Sequence, residues 1–121
     1  MELLELKQAI KKITSELNIL IYLRRTSRSE VALDVEGSIT FYSGGVAKIG
    51  LFYVTEPTDI RLLYCLAHEM GHYQIHKIDK QQLSLEEEEV QAWKYAEQMV
   101  GTSKSFLGLK RESLATYGIY K

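Results

Sequence analysis

One pentapeptide, His68-Glu69-Met70-Gly71-His72, constrains this chain more than any other part of its sequence. It follows an apolar run from Ile60 to Ala67, which predicts a helix that is buried on all sides. Residues four apart lie on one face of a helix, so the two imidazoles can reach one metal ion while the Glu between them holds a water. Two His and a Glu are costly to bury without partners. The motif therefore predicts a zinc site rather than a chance pattern in a structural helix.

A catalytic zinc site needs a third protein ligand and an open fourth position. In metzincins the third ligand is a His ten residues after the first, but Ile78 occupies that position here, which excludes that class. His76 lies two turns after His68, about 12 Å along the helix axis. We therefore expect His76 beside the site, or at the helix C-terminus as a cation, rather than on the same ion.

The third ligand is expected on a second helix, which carries the acidic run from Glu86 to Glu89. Ser84 followed three residues later by Glu87 is typical of a capping box and places the start of this helix. Glu88 then lies on the flank of the helix, whereas Glu86 and Glu87 point to solvent. Glu89 falls in the stripe that should face the core, which favours it as the ligand; the stripe consists of Leu85, Glu89, Ala92, Ala96 and Met99.

Taken together, these residues resemble a known family, the ImmA/IrrE metallopeptidases of bacteria and their mobile elements. The pentapeptide is similar to the family's HExGH, and His76 to a His often found shortly after it. Glu89-Val90-Gln91-Ala92-Trp93-Lys94-Tyr95-Ala96 is similar to its E-x-x-A-[N/D]-x-F-A. The resemblance implies one zinc per chain, held by His68, His72 and Glu89, with Glu69 as the general base. Trp93 departs from the family's Asn or Asp, and Tyr95 replaces a Phe.

The resemblance also implies an activity: a zinc endopeptidase with Glu as its third ligand, as in gluzincins, that acts on a protein. Members of the family typically act on a transcriptional repressor or another regulator of a prophage, mobile element or stress response. Tyr73, Tyr95 and His76 remain open as oxyanion donors. One alternative is a zinc-binding module that has lost activity and regulates a partner by binding. A structural zinc domain is disfavoured, because structural sites are usually closed by four protein ligands.

Length and composition narrow the class of protein. The 121 residues predict one domain, 1–121, and a net charge of -1 gives no broad basic surface for nucleic acid. The charged N-terminus and the lack of an apolar run of about 20 residues predict neither a signal peptide nor a membrane span. A single cysteine excludes an internal disulfide, so we expect a cytoplasmic protein. Cys65, one turn before His68, either touches the metal or, as we favour, is simply buried.

The remaining pattern predicts an α+β fold. A small antiparallel sheet of three or four strands would pack against an N-terminal helix from Glu2 to Leu17, the HExxH helix and the Glu-bearing helix, with a short helix after Gly101. The expected strands are Ile19 to Leu23, Val31 to Glu36, Ile39 to Tyr42 after a turn at Gly37-Ser38, and Val46 to Val54 after a turn at Gly44-Gly45. The last strand either forms an edge that binds extended substrate, by analogy with zinc peptidases, or is an interior strand.

Overall fold

The computed structural model describes residues 17–27, 35–54 and 59–120, together with positions 8 and 12. An α+β fold is confirmed within these residues. The strands are β1 (Ile19–Arg25), β2 (Val35–Phe41) and β3 (Ala47–Tyr53), and the helices are α1 (Asp59–Tyr73), α2 (Leu85–Val100) and α3 (Lys104–Thr116). A 3-10 turn, Ser43–Gly45, connects β2 to β3, and a π-helical turn, Gln74–Asp79, follows α1 directly. The helix predicted from Glu2 to Leu17 lies, apart from isolated positions, outside the described residues.

The three-stranded sheet is mixed, with the order β1-β3-β2, so the prediction of a wholly antiparallel sheet is wrong. β3 runs antiparallel to β2, with Ile39 opposite Ile49, and parallel to β1, with Ile21 opposite the same residue. A parallel pair needs a long connection, and here the segment between β1 and β3 includes β2 itself. Alternating apolar residues indicate a strand and its buried face, but they carry no information on the direction of its neighbour.

β3 is the central strand of this sheet, which excludes the alternative in which 46–54 forms an edge that binds substrate. It pairs with a neighbouring strand along both sides, and its Ala47, Ile49 and Leu51 are fully buried. The interior-strand alternative is therefore confirmed. Such a strand has no free backbone groups to which an extended peptide can bind.

The turn predicted at Gly37-Ser38 is also wrong. Both residues lie inside β2, opposite Leu51 and Gly50 of β3, and the strand is continuous from Val35 to Phe41. The chain reverses at the predicted Gly44-Gly45 turn instead, where φ is 83° and 81°. Glycine adopts this left-handed conformation without the steric cost of a Cβ, so two successive positive φ angles require the Gly-Gly pair.

The chain divides into two compact units, Met1–Leu66 and Ala67–Lys121. The first contains the sheet and the start of α1, and its buried apolar residues include Ile19, Ala47, Ile49, Leu51, Leu62 and Leu66. The second contains the end of α1, the π-helical turn, α2 and α3, and its buried residues include Ile75, Ala92, Trp93, Ala96, Phe106, Leu109 and Leu114. No helix in the described part of the chain is long and apolar enough to cross a membrane. His68, Glu69, His72 and Glu89 all belong to the second unit.

Candidate metal centre

The close approach of α1 and α2 positions the site. A Cβ added to Gly71 of α1 would overlap the carbonyl oxygen of Ala92 in α2 and lie 2.9 Å from its Cα. Only glycine therefore fits at this crossing, and the small side chain of Ala92 leaves the two backbones close together. This contact places the side chains of α2 within reach of the buried His68 and His72 on α1.

α2 begins where the sequence predicted. Ser84 Oγ accepts a hydrogen bond from the Glu87 backbone N–H at 3.2 Å, and the Glu87 carboxylate accepts one from the Ser84 N–H, which completes the capping box. In this register Glu89 is only 4% exposed, as its place in the predicted stripe requires. The prediction that both ends of that stripe face the core is wrong, since the side chains of Leu85 and Met99 are 67% and 50% exposed. The buried face is shorter than the helix and includes Trp93, which the stripe omitted.

Glu89 joins the two imidazoles of the motif. Its Oε2 lies 3.1 Å from His68 Nε2, and its Oε1 lies 3.3 Å from His72 Nε2. Ligand atoms bound to a tetrahedral zinc at about 2.1 Å lie about 3.4 Å from one another. Each of the two ring nitrogens thus lies from an oxygen of Glu89 at nearly the distance that separates two ligands of one zinc ion.

Two buried carboxylates are candidates for the third ligand. His68, Glu69 and His72 each offer an atom within 4.8 Å of the others, and they form the one such group of three found among the described residues. Glu69, however, makes its closest contact with His68 on the Nδ1 side, at 3.4 Å. Glu89 contacts the Nε2 atoms of both rings, so we favour Glu89 as the ligand and Glu69 as a free neighbour of the site.

The charges of the cluster are coupled. Burial would lower the pKa of His68, but its interactions with Glu69 and Glu89 outweigh burial and raise that pKa to about 9. Burial would likewise raise the pKa of Glu89, but hydrogen bonds with His68 and His72 lower it to about 2. Burial would also lower the pKa of His72, but its hydrogen bond to Glu89 and the charges of Glu69 and Glu89 together raise it. At neutral pH the site without a metal therefore holds an anionic Glu89 beside a protonated His68, and a cation that binds there would have to replace that proton.

The motif residues alone carry the resemblance described from the sequence. No family model, curated protein or solved structure matches the chain. The resemblance to the ImmA/IrrE metallopeptidases therefore stays a prediction that rests on those residues. What the site can do has to be inferred from the geometry of its own side chains.

Glu88 contacts the opposite side of His72. Its Oε2 accepts a hydrogen bond from His72 Nδ1 at 2.7 Å, and the same carboxylate lies 3.0 Å from His76 Nε2. His76 is exposed and belongs to the π-helical turn, so it lies beside the site, as expected, rather than among the Nε2 donors. Sequence reasoning missed the role of Glu88. The signal was available, because a metal-binding His usually donates its second ring N–H to a carboxylate or carbonyl.

Trp93 covers His68. The two rings stack with their centroids 4.3 Å apart and their planes 10° apart, and Phe106 meets the indole edge-on at 5.5 Å. Trp93 is 1% exposed, and its Nε1 has no hydrogen-bond partner within the described residues. A buried unpaired N–H costs about 1–3 kcal/mol, so the packing of this indole must compensate for it.

The remaining candidates from the sequence lie in different settings. Cys65 is buried, forms no disulfide and lies outside the metal-capable group. Among the candidate oxyanion donors, Tyr95 donates its hydroxyl hydrogen to Asp79 on the exposed side of α2, and His76 contacts Glu88. Tyr73 is half-buried at the last position of α1. The structure thus brings His68, Glu69, His72 and Glu89 together and adds Glu88 and Trp93 to them.

Proposed function

We propose that this protein is a zinc-dependent endopeptidase in which His68, His72 and Glu89 hold one zinc ion per chain. The observation that carries the proposal is the spacing of the donors, with the Glu89 carboxylate 3.1 and 3.3 Å from the two Nε2 atoms. Imidazole nitrogen and carboxylate oxygen are ordinary zinc ligands. Three protein ligands leave one position open, which is typical of catalytic rather than structural zinc.

The other buried groups have distinct roles in this proposal. Zinc held at this site would supply Lewis-acid chemistry, which acidifies water and polarises a peptide carbonyl. Glu69, buried beside the ligands, takes a proton from the attacking water and gives it to the leaving amine. Glu88 holds Nδ1 of His72, which would fix the tautomer whose Nε2 lone pair can bind the zinc.

The proposed substrate is a protein. The resemblance to the ImmA/IrrE family supports a transcriptional repressor or another regulator of a prophage, mobile element or stress response, and this support is an analogy rather than a physical argument. A net charge of -1 supports a protein partner over nucleic acid or an anionic membrane. We place the activity in the cytoplasm, a compartment in which a cysteine thiol such as that of Cys65 stays reduced.

One observation favours a second function, a zinc-binding module that regulates its partner by binding alone. The contact to His68 Nδ1 in the structure comes from Glu69, at 3.4 Å. If Glu69 serves to hold His68, as Glu88 holds His72, it is not free to transfer protons. The two functions therefore differ in what they require of Glu69.

The substitution Glu69→Gln separates them. In the peptidase the variant should keep its fold and its zinc but lose turnover by about 10²- to 10⁴-fold, the usual contribution of a general base. The exposed Glu86→Gln on α2 is the matched control and should cleave like the parent. Each protein is co-expressed with the regulators encoded beside its gene. Mass spectrometry then measures cleavage of the regulators, metal analysis measures the zinc content, and a reporter gene measures derepression.

The outcomes distinguish the two functions. Loss of cleavage and derepression in Glu69→Gln, with zinc retained, supports the peptidase. Derepression that persists while every regulator stays intact, in the parent and the variant alike, would overturn it in favour of the binding module.

A further inference from the structure

We propose that Trp93 is a positioning residue for the metal site, because its indole face holds the His68 imidazole in the orientation that presents Nε2 to Glu89. The inference rests on the proposed zinc site. It assigns a role to the residue that departs most from the family pattern. Trp93 would touch neither substrate nor metal and would act through His68 alone.

The two imidazoles of the site are supported in different ways. His72 is fixed on both sides by hydrogen-bonding partners, Glu89 at Nε2 and Glu88 at Nδ1, the latter at 2.7 Å. His68 has Glu89 at Nε2, but at Nδ1 it has only Glu69 at 3.4 Å, a longer and weaker contact than the 2.7 Å contact of Glu88 with His72. A metal-binding His normally needs its second nitrogen held to fix the plane of the ring. The long Glu69 contact restrains the plane of His68 only weakly, so a second neighbour is needed to hold that plane.

The stacked position of the Trp93 indole restricts the plane of the His68 ring. Its ring lies within 10° of parallel to His68 at a centroid distance of 4.3 Å, so rotation of the imidazole about its Cβ–Cγ bond would drive the ring into the indole face. Phe106 packs edge-on against the indole at 5.5 Å, and both aromatic residues are fully buried. Trp93 cannot turn to satisfy its own unpaired Nε1–H without leaving this arrangement. The stack thus restricts the same torsion that a hydrogen bond at Nδ1 would restrict.

The test compares zinc affinity in Trp93→Leu and Trp93→Phe, measured by competition with a chromophoric chelator. Leu removes the flat face and should weaken zinc binding by about 10- to 100-fold, the usual effect of losing a group that orients a ligand. Phe keeps a face and has no N–H to leave unpaired, so its zinc affinity should stay within about threefold of the parent. The control is Phe106→Leu, which loosens the same buried cluster and leaves Trp93 against His68.

A spectroscopic measurement separates positioning from general loss of packing. Protons on the His68 ring lie over the indole face, so their NMR signals should be shifted upfield by the ring current in the parent, in Trp93→Phe and in Phe106→Leu. In Trp93→Leu they should return towards the usual imidazole range. Thermal unfolding of each variant shows how much stability was lost, and Phe106→Leu supplies a variant that is destabilised while its stack is intact.

Each outcome bears on the inference. A zinc affinity in Trp93→Leu equal to that of Phe106→Leu, at similar stability, would overturn it and leave the peptidase proposal standing. A parent that binds zinc tightly but cleaves nothing would remove the proposed function while the role of Trp93 stands. A parent that binds no zinc would remove both.

Discussion

Glu88 and Glu89 are neighbours in the sequence with identical side chains, yet they contact opposite nitrogens of His72. Glu89 Oε1 lies 3.3 Å from Nε2, and Glu88 Oε2 lies 2.7 Å from Nδ1. Glu89 is fully buried and also contacts His68, whereas Glu88 is half-buried and also contacts the exposed His76. The difference of one residue in the helix therefore separates the proposed metal ligand from the group proposed to orient His72.

The two glutamates should consequently differ in how much zinc binding they support. We expect Glu89→Ala, like His68→Ala or His72→Ala, to abolish tight binding, because only two ligands would remain. Glu88→Ala should weaken binding by about 10- to 100-fold, the scale for a group that orients a ligand. Metal analysis and competition with a chelator on the purified variants measure both effects.

The exposed Glu87→Ala serves as the control and should bind zinc like the parent, with a small loss of helix stability because Glu87 completes the capping box. If Glu88→Ala lost the metal and Glu89→Ala kept it, the assignment of the third ligand would be reversed.

The sequence was sufficient to predict which residues meet, but not how they meet. The i, i+4 spacing of the motif and the register from Ser84 were enough to place Glu89 on the buried face beside His68 and His72. Periodicity carries no information on which ring nitrogen faces which carboxylate, so the contact of Glu88 with Nδ1 was not predicted. The stacking of Trp93 was not predicted either, because a resemblance suggests what a position usually holds and not what a different side chain does there.

At the scale of elements, the crossing of α1 and α2 depends on Gly71. Gly71→Ala would place a Cβ against the Ala92 backbone, where no flexible side chain can move away. We expect a loss of about 1–3 kcal/mol of stability, the usual cost of overpacking. Zinc binding should weaken as well, because separating the helices draws Glu89 away from the imidazoles. Chemical denaturation and zinc titration of the variant measure the two effects.

Gly108 in α3 provides the matched control. A Cβ added there meets no atom within 4 Å, so Gly108→Ala should be neutral or stabilise the protein by up to about 1 kcal/mol, since alanine favours a helix. Zinc affinity should be unchanged in this variant. Equal behaviour of the two alanine variants would show that the close crossing is not required.

The sheet shows which features of the strands the sequence pattern predicts and which it does not. A short apolar run predicted β1, and the Gly-Gly pair predicted the turn at Gly44-Gly45 before β3, where both glycines adopt positive φ. The parallel pairing of β1 with β3 was not predicted, because the direction of a strand depends on contacts between segments far apart in sequence. The pair Gly37-Ser38 looks like a turn locally, but the pairing of β2 with β3 overrides that preference.

At the scale of the whole molecule, the metal-free site links stability to pH. The pKa of His68 is about 9 in the folded protein against 6.5 in an unfolded chain, so its contribution is complete below pH 6.5 and is lost as pH rises through 9. The pKa of Glu89 is about 2 against 4.5, so its contribution is present above pH 4.5 and is lost as pH falls through 2. The metal-free protein should be most stable between about pH 4.5 and 6.5, with a loss of about 3 kcal/mol towards pH 9.

Zinc should reverse the upper part of this profile. Zinc ligands must be deprotonated, and the metal-free site carries a proton on His68 at neutral pH, so zinc has to displace it. Apparent zinc affinity should then rise by about tenfold per pH unit between pH 6 and 8 for each proton released. At a free zinc concentration 100 times the Kd, the folded protein gains about 2.7 kcal/mol of stability, or about 10 °C in Tm for a chain of this size.

Thermal unfolding at a fixed free zinc concentration should therefore show a Tm that rises from pH 6 to 8, whereas the Tm measured with a chelator should fall over the same range. Magnesium is the control ion and should have no effect, because it prefers an octahedral set of oxygen ligands. A zinc-loaded Tm that fell with pH in parallel with the chelated protein would show that the ion does not bind at His68.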